Sequence, residues 1–130
     1  MLDATYANMI TNARLGTASF VAPVTPIHAR LMVVNGTATV NGTELATSGG
    51  YTGSTGAPVI SFASASGEQA VSNVAVTVPN MPACTIVGIE LWDSSGSPRR
   101  LEVMPLTSSK TVNLGDTFNL AAGQVISNQT

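Results

Sequence analysis

Few side chains in this sequence are of the types that carry catalysis. It has one histidine, His28, and one cysteine, Cys84. A metal centre built from imidazole or thiolate needs several such ligands within reach of each other, and neither residue has a companion of its kind. His28 is expected to face solvent from a strand beside Arg30, and Cys84 to be a buried, inert thiol next to Thr85 and Ile86. Acid–base work needs paired or perturbed carboxylates in a cleft. Asp3, Glu44, Glu68, Glu90, Asp93, Glu102 and Asp116 are instead spread through turns and strands with no spacing that links them. Glu90 and Glu102 flank the turn Asp93-Ser94-Ser95-Gly96, so a hairpin would bring them near each other. Pairing with Arg99 or Arg100 across the strands is the simpler outcome there. The basic pair Arg99-Arg100 is expected to donate salt bridges or anchor an interface rather than bind phosphate. No nucleophile elbow, no glycine-rich loop opening a helix and no His-Glu-x-x-His pattern occurs. Asn35, Asn41 and Asn128 each open an Asn-x-Thr triplet and are read as turn residues. The expectation is therefore no enzymatic activity, no cofactor and no metal.

Charge narrows the partners. Of 130 residues, 44% are apolar and only 9% charged, where about 25% is usual. Five Lys and Arg against seven Asp and Glu leave a net charge of −2. Five scattered cations do not make a phosphate-binding face, so no nucleic acid is expected. High apolar content with little charge excludes disorder. Leu31-Met32-Val33-Val34, among the longest strongly apolar stretches, falls far short of the ~18 residues needed to span a bilayer, so no membrane is expected. Asp3, Asn8 and Asn12 interrupt the first dozen residues, so no secretion signal is expected there. Ser, Thr, Asn, Gly and Ala stand where a solitary domain would carry charge. Such a surface desolvates at low cost because its hydroxyls and amides re-pair across an interface. That favours a life in contact with copies of itself or with partners.

Length and pattern give one domain over 1–130, with a helix in 1–16 and a β core over 27–130. Leu2, Tyr6, Met9, Ile10 and Ala13 form one stripe of a 3.6-residue period, Asp3 suits the first turn and Gly16 a C-terminal stop. Pro23 and Pro26 mark a connector. Ile27, Ala29, Leu31 and Val33 alternate as a strand. Asn35-Gly36 and Asn41-Gly42 read as type I′ turns, with Thr37 to Val40 a short strand or polar loop between them. Thr47 to Gly56, with four glycines, reads as a long flexible loop that presents Tyr51. Val74, Val76 and Val78 alternate. Thr85 to Trp92 is the strongest strand, with Val87, Ile89 and Leu91 on one face and Ile86 and Trp92 on the other. Leu101, Val103 and Met104 return from the hairpin. Val112 with Leu114, Phe118 with Leu120, and Val125 with Ile126 supply two or three further short strands. The predicted fold is mainly β, a single antiparallel sandwich-like or barrel-like domain with a short N-terminal helix.

The order of these features is distinctive: Leu15-Gly16 ending the helix, Gly42-Thr43-Glu44-Leu45 before Gly49-Gly50-Tyr51, Pro58 to Phe62, Ala75 to Pro79, Leu91-Trp92-Asp93, Lys110 to Phe118 and Ala121-Ala122-Gly123. Across nearly its whole length the chain resembles small virion proteins of tailed bacteriophages, described as tail-fibre-like, minor structural or capsid decoration proteins. Asn35 to Gly42 departs from that pattern as an insertion-like stretch. The resemblance carries no catalytic residue. It implies a non-enzymatic structural protein of the virion. The leading expectation is a capsid decoration or minor capsid protein that stabilises a shell of major capsid protein, as a homotrimer. The alternative is a tail or tail-fibre-associated protein engaged in host attachment. Leu2, Tyr6, Met9, Ile10, Tyr51, Arg99 and Arg100 are the interface candidates. The helix and the glycine loop are expected to project from the core as docking elements.

Overall fold

The computed structural model describes residues 1–128. One helix, α1 (Ala4–Arg14), precedes nine strands. These are β1 (Ile27–Val34), β2 (Thr43–Glu44), β3 (Val59–Ile60), β4 (Gln69–Val71), β5 (Val76–Val78), β6 (Cys84–Trp92), β7 (Arg100–Val112), β8 (Phe118–Leu120) and β9 (Ile126–Asn128). α1 begins where its stripe begins, because Asp3 Oδ1 accepts the free N–H groups of Thr5 and Tyr6. It ends at Gly16, whose φ of 75° reverses the chain as expected of a C-terminal stop.

All strand pairing is antiparallel. The main sheet runs β2-β1-β6-β7, with β3 sharing β1's outer edge. β4 pairs with β9 and β5 with β8 as separate ribbons. Among the described residues the sheet does not close into a barrel. Ala29 and Leu31 sit opposite Leu91 and Ile89 on one sheet face. Val76 and Val78 of β5, Phe118 and Leu120 of β8, and Val125 join the same core, so the layered β architecture follows the alternation in the sequence.

Several local expectations are corrected. Between Ile86 and Gly88 the register slips, because β7 advances from Pro105 to Lys110 over the same interval. This bulge turns Ile86 into the core and leaves Val87 half-buried, reversing the predicted facing. Leu114 lies in a turn and is 81% exposed rather than in a strand. Of the two readings of Thr37 to Val40, the loop is the one seen. The pairs Asn35-Gly36 and Asn41-Gly42 are not type I′ turns, since none of the four has positive φ. Their glycines answer to close approach instead. A Cβ on Gly36 would stand 2.5 Å from the Gly42 nitrogen and 2.6 Å from Glu90 Oε2. His28 does not face solvent freely: it is half-buried, with Nδ1 2.7 Å from the Ala57 carbonyl.

Candidate functional site

The hairpin β6–β7 places two carboxylates on opposite faces of the sheet. Glu90 sits opposite Val103, and Glu102 opposite Leu91. They therefore do not meet, and each builds a different environment.

On the Glu90 face the centre is Arg100. Its guanidinium reaches Glu90 Oε2 at 3.2 Å and Asp3 Oδ2 at 2.8 Å. It also donates to the carbonyls of Thr37, Ala38 and Val40. Glu90 accepts in addition from the Trp92 indole and the Gly42 N–H. The insertion-like stretch is thus folded over the sheet and held by one buried cation. Asp3 both caps α1 and pairs with Arg100, which ties the helix to β7.

Arg99 fastens the connector. Its Nε pairs with Asp93 Oδ2 at 2.9 Å, and its terminal nitrogens donate to the carbonyls of Val21 and Ala22. Burial works to raise the Asp93 pKa. The backbone N–H and guanidinium of Arg99, the Val24 N–H and the Ser95 hydroxyl outweigh it and hold the carboxyl at about 2.

On the other face lies a cleft. Residues 1–3 run along the outer edge of β7, with Asp3 N–H bonded to Leu101 O at 3.0 Å and Val103 N–H to Met1 O at 2.7 Å. α1 then leaves the edge and overhangs a space of about 540 Å³. Its lining includes Leu2 beside β7, Tyr6 and Ile10 of α1, Phe62, and Leu91 and Leu101 of the sheet. Glu102 lines this cleft, with Oε1 accepting from the Ser127 hydroxyl. Burial raises the Glu102 pKa, offset in part by Ser127 and by the ammonium of Met1.

The structure thus brings together Leu2, Tyr6 and Ile10. Met9 is also half-buried, with its sulfur 3.5 Å from Arg99 Nη1. Arg100 is buried and bonded within its own chain, and Arg99 is half-buried in its ion pair. Tyr51 differs from expectation. It is 1% exposed, donates to Glu44 at 2.6 Å and accepts the Leu31 N–H at 3.0 Å. At that sheet edge Leu31 O accepts the Leu45 N–H, and the Tyr51 hydroxyl takes the Leu31 N–H. The glycine loop is therefore folded inward around Tyr51 rather than projecting. α1 likewise is stitched to β7 at its start. Sequence reasoning missed Glu102, Phe62 and Ser127 as neighbours, since only the strand register reveals them. No group of three or more metal-binding side chains occurs among the described residues.

Residues 2–128 match the family model described as podophage GP4 fiber I protein gp80. The chain belongs to this family. No curated protein matches it. Membership agrees with the resemblance to phage virion proteins and implies a structural, non-enzymatic protein of the virion. Between the two roles expected from the sequence, the family's description agrees with the fibre alternative rather than with capsid decoration.

Proposed function

We propose that this fibre-family member is a structural component of the tail-fibre apparatus of a podophage virion, working through contacts with copies of itself and with neighbouring tail proteins. The observation that carries the reading is the family match over residues 2–128, whose description is a fibre protein. The surface is consistent with it. Leu15, Phe20, Val21 and Val24 are exposed along the end of α1 and the connector, a run of apolar groups next to neutral polar loops. A closed symmetric oligomer, a homotrimer on the resemblance, would cover such groups.

The test is the copy number in purified virions, measured by quantitative mass spectrometry against the major capsid protein, with antibody labelling to place the protein on the particle. A ratio far below one and label at the tail are expected. Parity with the major capsid protein, with label over the head, would overturn the fibre reading in favour of capsid decoration.

A further inference from the structure

We infer that the cleft beneath α1 is a binding site for a primary ammonium group carried on a short apolar body. Four observations lead there, and none depends on where in the virion the protein sits. The space, about 540 Å³, lies in the range of about 300–1,000 Å³ usual for small-ligand sites. Much of its lining is apolar, with Tyr6 and Ile10 of α1 and Leu91 and Leu101 of the sheet among it. The charged side chains that line it are both carboxylates, Glu102 at depth and the exposed Glu68 at the rim.

The fourth observation is an acceptor without a donor. Glu102 is only 6% exposed, yet of its two carboxylate oxygens only Oε1 receives a hydrogen bond from the described residues. Oε2 is not among the polar atoms sealed away from solvent without a partner, so it keeps some exposure, on a residue that lines the cleft. A carboxylate oxygen with no donor from its own chain is free to make a charge-assisted bond to an outside donor. No nearby cation makes a hydrogen bond to Glu102 among the described residues. The Met1 ammonium donates to the Val103 carbonyl, and Arg99 is paired with Asp93. The lone free oxygen also selects among cations. A guanidinium binds best through both oxygens of a carboxylate, and Ser127 occupies one of them, whereas an ammonium needs a single strong acceptor. Burial keeps the Glu102 carboxyl above its usual range, and a ligand ammonium would supply the counter-charge that opposes this.

This chemistry has two sources, a free amine or a lysine side chain of a partner protein. The experiment uses the full chain and four probes followed by amide chemical-shift titration: 2-phenylethylamine, Nα-acetyl-lysine N-methylamide, 2-phenylethanol and 3-phenylpropionate. The two ammonium probes are expected to bind roughly tenfold or more tightly than the alcohol, with shifts centred on Tyr6, Leu101 and Glu102, and the anion not to bind. Glu102→Gln keeps the bond to Ser127 and should abolish the preference for ammonium over alcohol. The probe comparison on the unaltered chain stands alone should that variant fail to fold. Stronger binding of the lysine amide assigns the site to a protein partner, and stronger binding of phenylethylamine to a free amine. Equal binding of amine and alcohol, binding of the anion, or shifts that lie away from the cleft would overturn the inference.

Discussion

Replacing Arg100 with alanine should cost the fold about 3–5 kcal/mol, the range for breaking a buried ion pair by removing one partner. The magnitude follows from what is left behind. Glu90 is 1% exposed and would keep its bonds from Trp92 and Gly42 but lose its counter-charge. The carbonyls of Thr37 and Val40 belong to exposed residues and can rehydrate, so they add little. Asp3 would still cap α1, so the loss lies in tertiary structure rather than in the helix itself. A domain of this kind has about 5–15 kcal/mol in all. Urea unfolding followed by fluorescence suits the test, because Trp92 is the only tryptophan and its indole donates to Glu90 at 3.1 Å. The midpoint should fall by about 1 M or more at unchanged slope. Arg100→Met combined with Glu90→Gln should recover part of the loss, since it removes the stranded charge. A loss below about 1 kcal/mol, or strict additivity in the double variant, would refute the assignment of Arg100 as the centre that holds residues 37–42 and α1 to the sheet.

Two further outcomes follow from the same geometry. Asp93 has its folded pKa depressed from 3.8 to about 2, so it contributes stability that is full above pH 3.8 and lost as pH falls towards 2. Asp93→Asn should therefore melt lower than the parent at pH 7, with the gap closing in melts taken towards pH 2. Gly42→Ala sets a Cβ 2.5 Å from the Val34 carbonyl oxygen and should destabilise by about 1–3 kcal/mol in thermal denaturation. Gly96→Ala, with open space around the site, should change little by the same measurement.

What the sequence made legible was whatever depends on local periodicity. The stripe of α1, the alternation in β1 and the β6–β7 hairpin all appear where their patterns place them, and the Arg100–Glu90 pair forms across that hairpin as cross-strand pairing predicts. What stayed hidden depends on register. The bulge at Ile86 to Gly88 changes which side chains face the core without leaving any mark in the apolar alternation. Asn-Gly is so strong a turn signal that it masked a different use of glycine, the packing of Gly36 against Gly42 and Glu90. Tyr51 looked like a loop aromatic because its neighbours are glycines. Its burial depends on Leu31 and Glu44, which are distant in sequence. Glu102 belongs to a cleft through the pairing of Leu2, distant in sequence, beside it.

The low charge count means more in the folded chain than in the sequence. Of the charged side chains, Arg99, Arg100, Asp3, Glu90 and Asp93 are consumed in internal ion pairs. Glu44 is taken by Tyr51 and the Ser54 N–H, and Asp116 by the Asn113 N–H. Arg30 lies over the Trp92 ring at 4.0 Å, and Lys110 donates to the Asn119 carbonyl. Glu102 sits in the cleft. Among the described residues this leaves Arg14 and Glu68 as charges with neither ion pair, hydrogen bond nor aromatic partner. Fewer charges are therefore left without a partner than a count of twelve charged residues implies. A lone particle in water gains colloidal stability from surface charge, whereas a subunit of an assembly loses free energy whenever such charge must be desolvated on docking. Using most of its few charges for internal fastening while leaving little on the exterior fits the second circumstance. It also isolates the cleft: among the buried carboxylates of the described residues, Glu102 alone has an oxygen with no hydrogen bond from the chain, and there an outside donor has the most to add.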